Sequence, residues 1–396
     1  MVNKYHDTTF YLICSNIKDF KFINEIFGME KGNQVLIKQA KLMASNPSER
    51  TICARLMNDR FALCLPREEF DEKRVADSIK ELQREFSGNS FHLHTYMGVY
   101  EIRDRDEAVS IMVDKANIAA DTIKNNYDCC VAYYDEHLLE ISIEQRRLLG
   151  EFEPALQNDE FVMYLQPQVK RDGAAKGAEA LVRWVHPSRG ILTPYAFIDI
   201  LENAGLIYKL DLYIWEKAAQ KLAEWKEKGY GSYHISVNIS TKDFYIIDIY
   251  ETFTGLINKY GIAASNLHLE ITETTLMTDF EKNMNIIHKL QGVGFRVEID
   301  DFGSGYSSLN MLKDISADVL KIDMGFLRKS KNEVKGQDIL ESIITLAGKI
   351  GMDVITEGVE TKKQLDMLTM MGCHEFQGYY FSKPVPVSEF EEKYLV

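Results

Sequence analysis

Residues 297–309 read Val-Glu-Ile-Asp-Asp-Phe-Gly-Ser-Gly-Tyr-Ser-Ser-Leu, a short alternating run that delivers two adjacent carboxylates, Asp300 and Asp301, into a loop hinged by Gly303 and Gly305. Strand side chains alternate faces, so both acids can be presented together only where the strand ends and the backbone turns. Neighbouring acids repel unless a cation offsets them. An acidic turn is the plain alternative for a bare Asp-Asp-x-Gly. Here, however, the chain supplies several more strand-end polar groups of the kind that hard divalent cations choose. Asp300 is therefore read as the bridging ligand of a metal site.

Such groups need elements that aim them at one place. Strand-like runs occur at Phe161–Pro167, Ala178–Trp184, His234–Asn238, Leu267–Ile271, Arg296–Asp301, Val319–Ile322, Asp353–Glu357 and near Phe376–Gly378, with helical runs such as Ile214–Lys228 and Asp279–Gly292 between them. This alternation predicts a TIM-like (β/α)8 barrel, whose site forms at the C-terminal strand ends. Polar residues gather at those ends. Glu179 and Arg183 sit in EALVRW, Asn238 closes ISVNIS, and Glu270 and Glu273 sit in LEITE. Lys321 follows in VLKID, Glu357 and Glu360 in TEGVE, and Gln377 in FQGYYFSKP. The set is all oxygen apart from the lysine and arginine, with no His or Cys, which favours Mg2+ or Mn2+ over zinc.

Ahead of the barrel, residues 1–136 show a β-α-β-β-α-β order with an extra helix and strand, which predicts an α+β domain on a central antiparallel sheet. Thr51–Met57 and Arg60–Leu65 are two strands joined through Asn58-Asp59, which suits a tight hairpin. Residues 137–160 carry helical periodicity with no breaker before Pro154 and read as a connecting helix, leaving 161–396 to the barrel.

Composition narrows the class. A chain of 396 residues accommodates two domains, and 45% hydrophobic residues mark it as globular. A net charge of −14 argues against DNA or other general nucleic-acid binding, although cations can reverse the field locally for a phosphorylated small molecule. The six cysteines lack Cys-x-x-Cys spacing and, with no signal-peptide pattern, read as reduced thiols of a cytoplasmic protein. No apolar run approaches a membrane span, so a membrane or sensory part, if the natural protein has one, lies outside this chain.

Two resemblances follow from the motifs. SNIKDFKFINEIFGMEKGNQVL followed by ARLMNDRFALCLP resembles the GGDEF family of diguanylate cyclases. The signature Gly-Gly-Asp/Glu-Glu-Phe falls on Met57-Asn58-Asp59-Arg60-Phe61, so both glycines and the acid before Phe61 are replaced. A methionine at a glycine position closes the approach of backbone to a triphosphate. Asn16 and Lys18 stand where the family places metal-binding aspartates, and the family's inhibitory product site would fall on Ser48 and Thr51. Asn24, a guanine-contacting position, is retained, with Asn33 in place of its usual Asp partner. The resemblance thus implies a degenerate, non-catalytic regulatory or dimerisation module, with GTP binding without turnover as the alternative.

EALVRW, NIS, EITE, DDFGSGYSSL, KID, TEGVE and QGYYFSKP, in this order and spacing, resemble the EAL-domain cyclic-di-GMP phosphodiesterases over the whole second segment. That resemblance implies hydrolysis of cyclic di-GMP to linear pGpG. Glu179, Asn238, Glu270, Asp300 and Asp301 would hold two cations, Mg2+ or Mn2+, which activate water and offset charge growing on phosphorus. Lys321 would orient or deprotonate the attacking water or neutralise the transition state, and Glu357 would join the metal–water shell. Gln166, Gln377 and the bidentate Arg183 would contact substrate. Glu273 is expected to anchor the Gly303–Ser308 loop, which would couple homodimer contacts through the barrel to metal affinity. Glu298, two residues before Asp300 and facing the same way, stands where the family often has a small residue, and it either tightens cation binding or pairs with a base. The competing reading is a non-catalytic cyclic-di-GMP receptor that signals through a protein partner; a third is a barrel hydrolase for another phosphodiester.

Overall fold

Both faces of Phe10–Ile17 (β1) are apolar and almost wholly buried, which makes this strand the centre of the N-terminal sheet. The computed structural model describes residues 1–395 apart from 19, 45–47, 87–92, 125, 127–128, 301, 303–314, 324 and 326–332. The chain divides into two units, Met1–Arg147 and Leu148–Val396.

In the first unit β1 is joined by Ile52–Arg55 (β2), Phe61–Pro66 (β3), Thr95–Ile102 (β4) and Val131–Tyr133 (β5), in the order β2-β3-β1-β4-β5. All pairings are antiparallel except β4 with β5. The helices Phe20–Met43 (α1), broken at Gly28, and Glu72–Phe86 (α2) cover one face. There Ile79 and Leu82 pack with Ile13, Leu63 and Val99. Val109–Thr122 (α3) covers the other, with Met112 and Ala116 against Phe10, Leu12 and Tyr100. The hairpin between β2 and β3 closes at Met57–Arg60, where Arg60 N–H donates to Met57 O at 2.9 Å and Asn58 takes φ +53°. Asparagine is among the few L-residues that accept that conformation.

Glu136–Gln157 (α4) is the connecting helix and runs through Pro154. Pro154 falls in the last turn, where the missing N–H removes one bond from a helix that is already ending.

The second unit is the expected barrel, with one departure. Its strands are Phe161–Lys170 (β6), Ala175–His186 (β7), Gly190–Leu192 (β8), His234–Ile239 (β9), Leu267–Thr272 (β10), Val297–Asp300 (β11), Val319–Asp323 (β12), Asp353–Glu357 (β13), Glu375–Phe376 (β14) and Val385–Pro386 (β15). Eight of them close a ring, β6-β14-β13-β12-β11-β10-β9-β7 and back to β6, while β8 and β15 flank it. Seven run parallel, but β6 is antiparallel to both neighbours. Only Arg171–Ala174 joins β6 to β7, with Gly173 at φ +85°, and a parallel crossover needs a dozen or more residues. Outside the ring the helices bury Trp215, Trp225, Phe253, Leu290 and Leu368 against strand residues such as Val237, Leu269, Val297 and Leu320. No helix among the described residues is long and apolar enough to cross a membrane.

Candidate active site

The barrel interior is polar where a filled barrel is usually aliphatic. β7 turns Glu179 inward, β10 Glu270, β11 Asp300, β12 Lys321 and β13 Glu357; the last four lie at or near the C-terminal ends of their strands, while Glu179 lies earlier in β7, where that strand pairs with β9. Four of these side chains converge on the fifth. Lys321 Nζ lies 2.6 Å from Glu357 Oε1, 2.7 Å from Glu270 Oε2, 3.3 Å from Asp300 Oδ1 and 3.4 Å from Glu179 Oε2. The lysine side chain is 1% exposed and Glu270 0%, whereas Asp300 is 15% and Glu357 18% exposed, so the cluster is sealed at Glu270 and opens at Asp300 and Glu357. Burial alone would push Lys321 toward neutrality. The carboxylates, Asp300 foremost and then Glu179, Glu270 and Glu357, outweigh it and hold the ammonium well above its usual range. Burial pushes the Glu357 carboxyl up to about 8 against the pull of Lys321. Burial and then the charge of Glu179 raise Glu270 well above the usual carboxylate range.

Neighbouring strands fix the rim. Asn238 Nδ2 donates to Glu179 Oε1 at 3.1 Å, and Trp215 Nε1 holds the Asn238 carbonyl at 2.9 Å. Gln377 Nε2 donates to Glu179 Oε2 at 2.5 Å and to Gln166 Oε1 at 3.3 Å. Gln377 reaches this point because Gly378, at φ +156°, lets the chain run against the backbone of Val359; a Cβ there would lie 2.3 Å from Val359 O. Arg183 shares the inward face of β7 with Glu179, two pairs along, and its guanidinium lies 5.4 Å from the Tyr164 ring centroid.

Thus Glu179, Asn238, Glu270, Asp300, Lys321, Glu357, Gln166 and Gln377 are brought together, with Arg183 above them. Glu273 opens the helix Glu273–Thr278, which Thr272 caps. The Gly303–Ser308 loop it was expected to anchor, and Asp301, lie outside the described residues. In the first unit, Met57 is 71% exposed, Asp59 Oδ2 accepts from Ile17 N–H at 3.2 Å, and the Asn16 amide donates to Tyr96 Oη at 3.0 Å. Arg60 and Phe61 complete the turn and begin β3.

The donor set fits hard divalent cations. Four carboxyl groups gather their oxygens around one ammonium, and Asp300 Oδ1 has no hydrogen-bond donor. Oxygen ligands of this density are what Mg2+ and Mn2+ require.

A second polar layer lies beneath, toward the opposite end of the barrel; of it only Glu298 was read from the sequence. Glu298 is fully buried, with Oε1 2.6 Å from His268 Nδ1. Burial alone would raise its carboxyl, but the His268 hydrogen bond and charge pull it down to about 2. The question of tight cation binding or a paired base is answered here by the base. His268 stacks on His234, ring centroids 3.8 Å apart and planes 5° apart. One ligand atom from each of His234, His268 and Glu298 lies within 4.8 Å of the others, while His268 Nδ1 is paired with Glu298 Oε1 and His234 Nε2 with Gln168 Oε1. These side chains, with Lys176, Tyr233 and Arg296, line a pocket of about 450 Å3 at that end. The signal was present as period two: 234, 236 and 238, 268 and 270, 298 and 300 are all polar.

Comparison with known proteins agrees with this geometry. Residues 150–384 match the EAL domain model and residues 2–128 the model for the diguanylate cyclase GGDEF domain. The bifunctional diguanylate cyclase/cyclic di-GMP phosphodiesterase MucR of Pseudomonas aeruginosa is 30% identical over 393 residues, 97% of this chain and 57% of that protein. The cyclic di-GMP phosphodiesterase NbdA of the same organism is 28% identical over 95% of this chain and 49% of its own length. The chain thus spans about half the length of the curated relatives it matches. Among solved structures, the PaMucR phosphodiesterase in complex with c-di-GMP superposes with a TM-score of 0.59 at 33% identity, over 62% of this chain and 99% of that one.

Proposed function

Because the chain belongs to the EAL domain family, with a GGDEF domain before it, we propose that it hydrolyses one phosphodiester of cyclic di-GMP to linear pGpG in a reaction dependent on divalent cations. The observation that carries this reading is the convergence of Glu179, Glu270, Asp300 and Glu357 on Lys321 within 3.4 Å at the mouth of the barrel. The related phosphodiesterase solved with c-di-GMP supports the ligand.

Glu179, Asn238, Glu270, Asp300 and Asp301 would hold two Mg2+ or Mn2+ ions. When bound, such ions lower the pKa of water and offset charge on the phosphoryl oxygens. Lys321, kept protonated by its carboxylates, acts as a fixed positive charge toward the phosphoryl group rather than as a base. Glu357 would join the metal–water shell, where its carboxyl can hold the attacking water. Arg183 takes a phosphate in bidentate fashion, and Gln166 and Gln377 contact the substrate.

The GGDEF domain acts as a non-catalytic regulatory or dimerisation module. Met57 and Arg60 replace a glycine and an acid of the signature, and Asn16 Oδ1, the atom a cation would need, accepts from the Ile17 N–H at 3.0 Å. The protein works in the cytoplasm as a homodimer through its barrel.

The test is incubation of the purified chain with cyclic di-GMP in Mg2+, in Mn2+ and in EDTA, with products separated by chromatography. The reading expects pGpG in either metal and none in EDTA. Tight binding without turnover in both metals would replace it with the receptor reading.

A further inference from the structure

We infer that Gln168 and Ser236 are positioning residues that form a polarised hydrogen-bond relay across the barrel, anchored on His234, and that the relay orients Glu270 for cation binding. The inference rests on the reading above only in taking Glu270 as a cation ligand. Its links are buried throughout: Gln168 is 1% exposed, Ser236 0%, Glu270 0% and His234 8%. His234 Nε2 lies 2.7 Å from Gln168 Oε1, Gln168 Nε2 lies 3.3 Å from Ser236 Oγ, and the Ser236 hydroxyl donates to Glu270 Oε1. Lys321 Nζ takes the other oxygen, Oε2, at 2.7 Å.

The direction of this chain follows from donor counting. The ring of His268 has Glu298 Oε1 at Nδ1 and the Ser265 carbonyl, 3.2 Å away, at Nε2. Both of its nitrogens are thus engaged away from the relay. Its stacked neighbour His234 is held well below its usual range, by burial first and by His268 next, and as a neutral ring it has a single N–H. With that proton on Nε2, Gln168 accepts through its oxygen and must present its NH2 to Ser236. The Ser236 oxygen is thereby an acceptor, and its own proton is left for Glu270. The reverse order would spend the serine proton on Gln168 and set two bare oxygens, Ser236 and an ionised Glu270, against each other. Only the first order supports a carboxylate able to bind a cation, because it holds Oε1 with a donor and leaves Oε2 facing the centre of the site.

Gly177 is part of the same device. A Cβ there would lie 2.4–2.5 Å from three atoms of the His234 ring, so the imidazole occupies space that only glycine leaves open. Groups that orient metal ligands in this way change metal affinity by about 10–100-fold when removed.

The experiment measures Mn2+ binding to the full chain without substrate, by the EPR signal of free Mn2+, for wild type, Gln168→Glu, Ser236→Ala and Ser236→Thr. Gln168→Glu keeps the shape but has no N–H, so it accepts the serine proton and turns it from Glu270. The expected result is Mn2+ binding weakened about 10–100-fold in Gln168→Glu and Ser236→Ala. Ser236→Thr, which keeps the hydroxyl, should restore it, and far-UV circular dichroism should be unchanged. A role in stability alone would lower the melting midpoint and leave the Mn2+ dissociation constant where it was. Wild-type Mn2+ binding in folded Ser236→Ala overturns the relay, as does a wild-type chain that binds no Mn2+. Weakened binding in the variants of a wild type that takes Mn2+ but leaves cyclic di-GMP intact would uphold the relay and overturn the phosphodiesterase reading.

Discussion

Replacing Glu298 by Gln is expected to destabilise the barrel by about 3 kcal/mol, because it removes a buried carboxylate that the hydrogen bond to His268 holds in its charged form. The side chain of Glu298 is 0% exposed, that of His268 is 4% exposed, and their hydrogen bond is 2.6 Å. A carboxyl held at about 2 instead of 4.5 prefers its charged form by roughly 3 kcal/mol. Breaking a buried ion pair from one side costs about 3–5 kcal/mol. Gln keeps the shape and one acceptor oxygen, so the loss reports the charge rather than a cavity. For a unit the size of Leu148–Val396, about 2–4 °C per kcal/mol puts the drop in apparent midpoint at roughly 6–12 °C, read by circular dichroism at pH 7.5. The carboxyl is depressed in the folded state, so the stability it contributes is complete above about 4.5 and is lost as pH falls toward 2. The gap between wild type and Glu298→Gln should therefore close as pH falls from about 4.5 toward 2. Adding His268→Gln should cost less than the sum of the two single changes, since both act on the same hydrogen bond. A single variant melting within about 2 °C of wild type, when roughly 6–12 °C is expected, or a double variant losing the sum of both, would refute the buried pair.

Glu179→Ala and Lys321→Ala should each lower turnover of cyclic di-GMP by at least about 10^2–10^3 with the fold retained by circular dichroism; near-wild-type rates would undo the assigned roles. Asn58→Gly should yield no cyclic product from GTP, because Met57 and Arg60 still occupy the signature; chromatography of a GTP incubation decides it. Gly177→Ala should displace the His234 ring, with an overpacking cost of about 1–3 kcal/mol seen in thermal unfolding and Mn2+ binding weakened as in Ser236→Ala. An unchanged midpoint and unchanged Mn2+ binding would mean that the ring does not need that space.

The upper layer of the site was legible because most of its residues sit at or near the end of a strand in a β/α alternation, and parallel strands in a closed ring bring those ends together. Glu179, Glu270, Asp300, Lys321 and Glu357 could therefore be named without knowing any distance. The lower layer was legible only as a spacing. His234, His268 and Glu298 stand two residues below their upper neighbours or four, so they face inward, but their pairing depends on register. Glu298 meets His268 because Glu298 pairs with Glu270 across β11 and β10. A shift of two residues would have given Glu298 a different neighbour, and no local propensity distinguishes the two alignments. The reversal of β6 was written in the four residues Arg171–Ala174, too short for a crossover, but the hydrophobic pattern of a buried strand is the same in either direction. In the first unit, the turn at Met57–Arg60 was readable from Asn58-Asp59, while the engagement of Asn16 with Tyr96 joins residues eighty positions apart and left no local trace.

The two polar layers also set how the barrel responds to temperature. Exposing polar surface on unfolding lowers the heat capacity by about 0.26 cal/K/mol per Å2, whereas exposing apolar surface raises it by about 0.45. A lumen filled with Glu, Lys, His, Gln and Ser replaces part of the second contribution with the first. The heat-capacity increment of this unit should therefore fall below that of an aliphatic-filled barrel of equal length, and its free energy of unfolding should curve less with temperature. Calorimetry would register the charged interior as a shallower, broader dome.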